Sequence, residues 1–300
     1  MFQPGRFLHA AFASPRARVT ELAAPSFELL DPGYAPGMRL NVPAAEEYFA
    51  AFRRLFADVT VQALSEVCFG DAWLSRHRVT AIHRGGWGGQ RLGGQRVTWD
   101  SAALWRMESE RPSELLLISD AFSVARQLGC RPEMPTGPLP EGGVGFVELP
   151  PPEIHASVTA RDRARIQLIE EMSRVLLSEH CKERVPDFFN PNMRLIDPTS
   201  GMDVVEGYAV ARRLIEYMQA AIRGYHLRFE RFYAAGDQIA AQLRIRGYNL
   251  AALLGLPARN VPFDLHCINL YRFEGDRISE ICMHWDALTL LRCQGALLVA

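Results

Sequence analysis

The chain has 300 residues, of which 48% are hydrophobic and 22% charged, and its net charge is -1. That composition is typical of a globular protein, and the length suits two domains of ordinary size. Balanced charge provides no basic surface for nucleic acid or an anionic membrane, and no run approaches the roughly 18 apolar residues of a membrane span. We therefore expect no nucleic-acid or membrane partners, and the cytoplasm is the default location.

The first half of the chain is predicted to form helices followed by strands. Before Leu30 the pattern indicates a short, poorly amphipathic helix, which we expect to be frayed. The next helix, over 43–57, carries four aromatic residues on the side expected to face a core: Tyr48, Phe49, Phe52 and Phe56. The glycine-rich stretch 84–96 matches neither common phosphate-loop motif, and we interpret it as a flap over a pocket or a long connection.

A proline- and glycine-rich segment follows. Residues 131–160 contain seven prolines and four glycines, which is the composition of a linker. After the linker the order of helices and then strands returns, beginning with Thr159 and Asp162 at capping-box-like spacing. The last two strands are joined by Glu274-Gly275-Asp276, which predicts a hairpin.

The two halves repeat one sequence pattern at a single fixed offset, which aligns position 105 with position 271. The segments 105–129 and 271–295 are identical at 9 of 25 positions without a gap. Two further pairs lie at the same offset: Gly70-Asp71 with Gly236-Asp237, and Asp31-Pro32 with Asp197-Pro198. Three separated matches predict two copies of one domain, at 1–130 and 161–300, joined by the linker 131–160.

The second copy ends in YRFEGDRISEICMHWDALTLLRCQG and the first in WRMESERPSELLLISDAFSVARQLG. This turn–strand–Asp–helix pattern resembles the SnoaL-like polyketide cyclase family, in the superfamily named after nuclear transport factor two. The resemblance implies an α+β fold of two tandem cone-shaped barrels, in which helices pack on a strongly curved antiparallel sheet around an apolar pocket. It also implies that the two domains pair through their sheets as an intramolecular pseudo-dimer.

The resemblance further implies chemistry without a metal or an organic cofactor. Cyclases of this family close a ring by an intramolecular aldol step, using an Asp at the end of the last long strand. Asp286 stands at that place in the second copy and Asp120 in the first. The implied partner is a small apolar ligand.

An aldol closure needs a base for a proton next to a carbonyl and an acid for the developing alkoxide. A buried carboxyl can fill either role, and His is a natural partner because it titrates near neutral pH. The second copy supplies Asp264 and His266 on one strand, then His284 and Asp286 on the next. A three-residue hairpin loop with Gly275 in the left-handed position would set Asp264 opposite His284 and put all four side chains on one face. A two-residue loop would instead put the two pairs on opposite faces.

These residues favour an enzyme that performs cofactor-independent acid–base catalysis on an apolar carbonyl or polyketide-like molecule. Asp286 is the candidate acid and base, with His284 and His266 beside it. The candidates for substrate binding are Asp264, Arg246, Tyr248 and Trp285. The first copy is poorer, since Ile118 replaces the histidine; its candidates are Asp120, Asp100 and Trp99.

Other roles are open for the same residues. An Asp ahead of a helix is often an N-cap, a core His is often only hydrogen-bonded, and two Asp–His pairs could hold a metal, although no spacing requires one. The pocket could also belong to a non-catalytic binding or scaffold protein, or to a hydrolase or dehydratase. The six cysteines form no CxxC pair, so we expect free thiols. A homodimer in addition to the internal pairing is also open.

Overall fold

The computed structural model describes two compact units. The described residues are 2–35, 37–86, 93–133, 146, 148, 150–179, 181–200, 202–252 and 259–299. The first unit comprises Met1–Glu133, Asp286–Leu288 and Leu298–Ala300, and the second comprises Met134–Trp285 and Thr289–Leu297. The middle of the glycine-rich stretch and much of the predicted linker lie outside the described residues.

The first unit packs helices on a mixed sheet. Its helices are α1 (Pro4–Ala13), α2 (Val19–Leu22), α3 (Val42–Leu55) and α4 (Ala121–Gln127). Its strands are β1 (Glu28–Leu30), β2 (Leu40–Asn41), β3 (Phe56–Cys68), β4 (Ala72–His83), β5 (Arg96–Glu108), β6 (Arg111–Ser119) and β7 (Arg131–Glu133). The sheet order is β2-β1-β6-β5-β4-β3, with β1 and β6 parallel and the other neighbours antiparallel.

The second unit has the same kind of architecture. Its first elements are β8 (Glu153–Ile154), α5 (Ala160–Met172), a π-helical turn (Ser173–Ser178), a 3-10 turn (Lys182–Arg184), α6 (Val185–Phe188), β9 (Phe189–Asp197) and β10 (Met202–Glu206). They are followed by α7 (Tyr208–Ala221), β11 (Ile222–Ala235), β12 (Gln238–Asn249), β13 (Pro262–Glu274) and β14 (Arg277–Trp285). The sheet order is β10-β9-β14-β13-β12-β11-β8. The chain ends with α8 (Ala287–Cys293) and β15 (Leu297–Val299).

Equivalent elements of the two units begin at positions separated by the offset of the sequence repeat. Helices α3 and α7 begin at Val42 and Tyr208, and strands β5 and β13 begin at Arg96 and Pro262. The repeat seen in the sequence is therefore a repeat of structure. The predicted α+β class with tandem domains is confirmed.

The second domain starts with the predicted capping box. Thr159 Oγ1 accepts a hydrogen bond from the Asp162 amide at 3.3 Å, and the Asp162 carboxylate accepts one from the Thr159 amide at 3.0 Å. The two side chains satisfy amides that would otherwise lack helical partners. Helix α5 then runs into the π-helical turn, whose Leu176 and Leu177 face the interior of the domain.

Helix α1 of the first domain is not frayed, and this expectation was wrong. Phe7, Leu8, Ala11 and Phe12 are all buried, so one side of the helix packs on the core. The weak amphipathic pattern is misleading because aromatic contacts hold the helix. Phe7 lies edge-to-face against Trp105, with ring centroids 5.0 Å apart.

The hairpin between β13 and β14 has a different register from the predicted one. Glu274 pairs with Arg277 across a two-residue turn, so Ile268, not Asp264, lies opposite His284. A bulge near Phe273 shifts the register by one residue. Because of this one-residue shift, positions 264, 266 and 284 still share one face of the sheet, as predicted.

Candidate active site

The second domain encloses a cavity of about 530 Å³ between its sheet and the helices that cover it. Helix α7 contributes Leu214, Ile215 and Met218, and the sheet contributes Leu265 and Met283. From β13 and β14 the lining takes odd-numbered residues, as alternation along a strand requires. The apolar lining suits a small hydrophobic molecule.

One carboxyl group lies in this apolar lining. Asp197, the last residue of β9, is 2% exposed. Its oxygens accept hydrogen bonds from Trp285 Nε1, at 3.1 Å, and from the Ser200 amide, at 3.2 Å. The Ser200 hydroxyl also donates to it. The turn after β9 and the end of β14 therefore hold Asp197 at the cavity wall.

Burial raises the pKa of Asp197 above its ordinary value of 3.8. The hydrogen bonds from Ser200 and Trp285 act in the opposite direction, because they stabilise the charged form, but desolvation outweighs them. A carboxyl with a raised pKa can both accept and return a proton in an apolar cavity.

A second polar group in the lining is the pair Asn269 and Tyr271 on β13. Asn269 Nδ2 donates to the Tyr271 hydroxyl at 2.9 Å, and Cys267 Sγ donates to Asn269 Oδ1 at 3.1 Å. Burial raises the pKa of Tyr271, so its hydroxyl keeps its proton. Because that oxygen already accepts from Asn269, its own hydrogen is available for a bound molecule.

The predicted residues Asp264, His266 and Arg246 lie on the other face of the sheet. Asp264 accepts from Arg244 Nε at 2.8 Å and pairs with Arg246 Nη2 at 3.0 Å. His266 contacts the same Arg244 guanidinium. The structure brings these residues together as an ion-pair cluster, but not in the cavity.

His284 and Asp286 also lie outside the cavity lining. Both are buried, and Asp286 precedes helix α8. Tyr248 contacts the Arg223 guanidinium, 4.7 Å from its ring centre, and does not line the cavity. Among the predicted site residues, all of which are described, Trp285 lines the cavity.

The three candidates of the first domain make separate contacts. Asp120 caps α4 by accepting from the Ser123 amide at 2.9 Å, and Asp100 pairs with Arg78 Nε at 2.8 Å. Trp99 belongs to the buried core. Its counterpart in the repeat is Leu265, which lines the cavity of the second domain. The first domain thus places a large ring where the second leaves space.

Asp31 is the counterpart of Asp197 in the first domain, since the Asp-Pro pair recurs at the offset of the repeat. It accepts a hydrogen bond from the Tyr48 hydroxyl at 2.6 Å. Burial raises the pKa of Asp31 to about 6, the Tyr48 hydrogen bond partly opposes the rise, and the Asp286 carboxylate adds to it. At neutral pH the folded protein therefore holds a carboxylate that would be more stable in water.

Asp31→Asn is expected to stabilise the protein at pH 8 but not at pH 4. The folded state binds the extra proton between the ordinary pKa of 3.8 and about 6, so the stability contributed by Asp31 falls as pH rises through that window. A pKa shift from 3.8 to about 6 corresponds to a change of about 3 kcal/mol in the free energy of unfolding. Chemical denaturation at both pH values measures it, with Asp276→Asn at the exposed hairpin turn as control. An equal effect of Asp31→Asn at both pH values would contradict the assignment.

The sequence patterns did not single out Asp197 as a candidate site residue. The signal was present, because Asp197-Pro198 repeats Asp31-Pro32, but it was used only to establish the repeat. When both copies carry the same polar residue at the end of a strand, the repeat alone identifies only an equivalent position in the fold. The chemistry of that residue depends on its surroundings. In this fold the surroundings are an apolar cavity.

The described residues contain neither a cluster of metal-ligating side chains nor a membrane-spanning helix. Within those residues, no group of three or more His, Cys, Asp and Glu side chains is arranged to hold a metal ion. No helix there has the length and apolar character to span a membrane.

The α+β domain with helices over a mixed sheet and an interior cavity defines the fold class, and comparison with known proteins gives a family match for the second copy. Residues 167–293 match the family described as SnoaL-like polyketide cyclase. The resemblance predicted for the second copy is thereby confirmed. Curated protein sequences give no match.

The solved structures named here are each similar to less than half of this chain, which is about the length of one domain. TsrD from Streptomyces laurentii is 22% identical over 45% of this chain and 97% of its own, with a TM-score of 0.40. IdmH from Streptomyces antibioticus is 20% identical over 44% and 98%, with a TM-score of 0.39. A LEH-like epoxide hydrolase from M. tuberculosis is 13% identical over 44% and 90%, with a TM-score of 0.36.

Proposed function

We propose that the second domain is a cofactor-independent acid–base catalyst acting on a small apolar carbonyl compound. The observation that carries the proposal is the position of Asp197, a buried carboxyl with a raised pKa in the wall of an apolar cavity. The predicted set Asp286, His284 and His266 lies outside that cavity, so the proposal assigns proton transfer to Asp197 instead.

The chemistry follows from the groups at the wall. The Asp197 carboxylate removes a proton from the carbon next to a ligand carbonyl, and the electron pair moves to the carbonyl oxygen. Tyr271 donates its hydroxyl hydrogen to that oxygen and stabilises the developing charge. In an aldol closure, the enolate carbon then attacks a second carbonyl of the same molecule. The protonated Asp197 returns its proton to the resulting alkoxide.

Two other functions would use the same cavity. A binding or scaffold protein would hold the apolar ligand without proton transfer, and a hydrolase or dehydratase would use Asp197 on water or on a leaving group. The position of Asp197 favours catalysis over binding alone, because its carboxyl lies in the lining of the apolar cavity, where a bound molecule can reach it.

Exchange of the α-hydrogens of β-tetralone for deuterium, followed by NMR, tests the proposal. Wild-type protein is expected to accelerate the exchange. The double variant Leu265→Trp with Met218→Phe places in the cavity the residues found at the equivalent positions of the first domain, Trp99 and Phe52. It is expected to weaken ketone binding by at least about tenfold and to change the free energy of unfolding by no more than about 3 kcal/mol.

The volume-conserving variant Leu265→Met is the matched control, and it is expected to keep the exchange. Exchange that survives the double variant unchanged would place the reaction outside this cavity. Ketone binding without exchange in the wild type would favour the binding protein.

A further inference from the structure

The cavity of the second domain has a buried polar wall and a charged rim. Asp197 and Trp285 lie on the wall, where they are 2% and 7% exposed. Arg213 and Tyr217, one turn apart on α7, also line the cavity but are exposed, Tyr217 by 47%. A ligand that fills the cavity would therefore meet both a buried carboxyl and an exposed guanidinium.

Arg213 is a cation without a partner in the part of the chain that the structure describes. The acid three residues further along the helix, Glu216, is at the spacing that ordinarily allows pairing with Arg213. Glu216 instead contacts Lys182. The charge of Arg213 is therefore available to a ligand.

Most of the remaining lining is apolar. Leu176, Val210, Leu214 and Met218 surround the space on the side of the helices. An apolar body gains free energy by entering this space, whereas an ionised group loses its hydration there. An amphipathic anion can bury its apolar body and keep its charged end at the rim, where a guanidinium pairs well with a carboxylate.

We propose, on the basis of the function proposed above, that the ligand is an apolar carbonyl compound that also carries a carboxylate, and that Arg213 binds this carboxylate. The carbonyl end then lies toward Tyr271 and Asp197. Arg213 determines specificity for the acid over its neutral analogues and does not touch the reacting atoms.

Two fluorescent probes with the same apolar body, pyrenebutanoate and pyrenebutanol, test the proposal by equilibrium binding. Arg213→Gln is expected to weaken pyrenebutanoate binding about fivefold and to leave pyrenebutanol binding unchanged, since an exposed ion pair contributes at most about 1 kcal/mol. Arg213→Lys is expected to restore most of the difference. Arg163→Gln, at an exposed position of α5, is the matched control and is expected to change neither affinity.

The double variant Leu265→Trp with Met218→Phe is expected to weaken binding of both probes, which places them in the cavity. Equal effects of Arg213→Gln on the two probes, or no effect on either, would overturn the proposal. This readout is independent of turnover. If Arg213→Gln does not discriminate between the probes but wild-type protein still exchanges the β-tetralone hydrogens, the proposed function holds and the anion site is wrong. If Arg213→Gln discriminates between the probes but wild-type protein does not exchange these hydrogens, the anion site holds and the proposed function is wrong.

Discussion

Asp197→Asn is expected to slow α-hydrogen exchange on β-tetralone by about 100- to 10,000-fold, the usual contribution of a positioned acid or base. The amide cannot accept the proton, but it has nearly the same shape. It can still accept hydrogen bonds from the Ser200 amide and Trp285 Nε1 through its oxygen. Ketone affinity is therefore expected to stay within about threefold of wild type, since the apolar lining supplies most of the binding free energy.

Asp31→Asn is the matched control for this experiment. Asp31 occupies the equivalent position of the first domain and is also buried, but its carboxylate accepts a hydrogen bond from the Tyr48 hydroxyl and does not line the cavity of the second domain. The control is expected to leave exchange unchanged. If Asp197→Asn exchanged deuterium at the wild-type rate, or if both variants lost activity together, the assignment of the base to Asp197 would be wrong.

Trp105→Ala is expected to lower the free energy of unfolding by about 3 to 5 kcal/mol, the usual cost of truncating a buried aromatic residue. Trp105 is fully buried. Its ring lies edge-to-face against Phe7 and Phe2, with centroid distances of 5.0 and 5.2 Å, and its Nε1 donates to Ser75 Oγ at 2.8 Å. Truncation therefore removes the ring against which α1 packs and leaves the Ser75 hydroxyl without its donor.

Trp105→Phe separates these effects, because it keeps an aromatic ring and loses the hydrogen bond. It is expected to cost roughly half as much as the truncation. Both variants are measured by chemical denaturation, and hydrogen exchange of the α1 amides reports on the helix. A loss below about 1 kcal/mol for Trp105→Ala would contradict the close packing of this core.

The repeat, the fold class and the capping box could be read from the sequence because each depends on local pattern. Identities at one offset predict a repeated domain whatever its function, and Thr159 with Asp162 forms the capping box that its spacing predicts. The face of the sheet shared by Asp264 and His266 was also predicted correctly. It is set by alternation along one strand.

The position of the cavity could not be read in the same way. The polar residues of β13 suggested chemistry on their own face, but an apolar cavity is lined by the apolar face of the strand, to which Leu265 belongs. Asp197 reaches the cavity only because the fold brings the end of β9 beside Trp285 of β14. That long-range contact has no counterpart in local spacing.

The pKa of the Asp197 carboxyl, measured by carbon-13 NMR titration with and without β-tetralone, tests its role as the base. We expect a pKa above the ordinary 3.8 in the free protein and a carboxyl signal that shifts when the ketone binds. A pKa at or below 3.8 with no response to the ketone would identify Asp197 as a structural acceptor for the Ser200 turn and contradict the proposed catalysis.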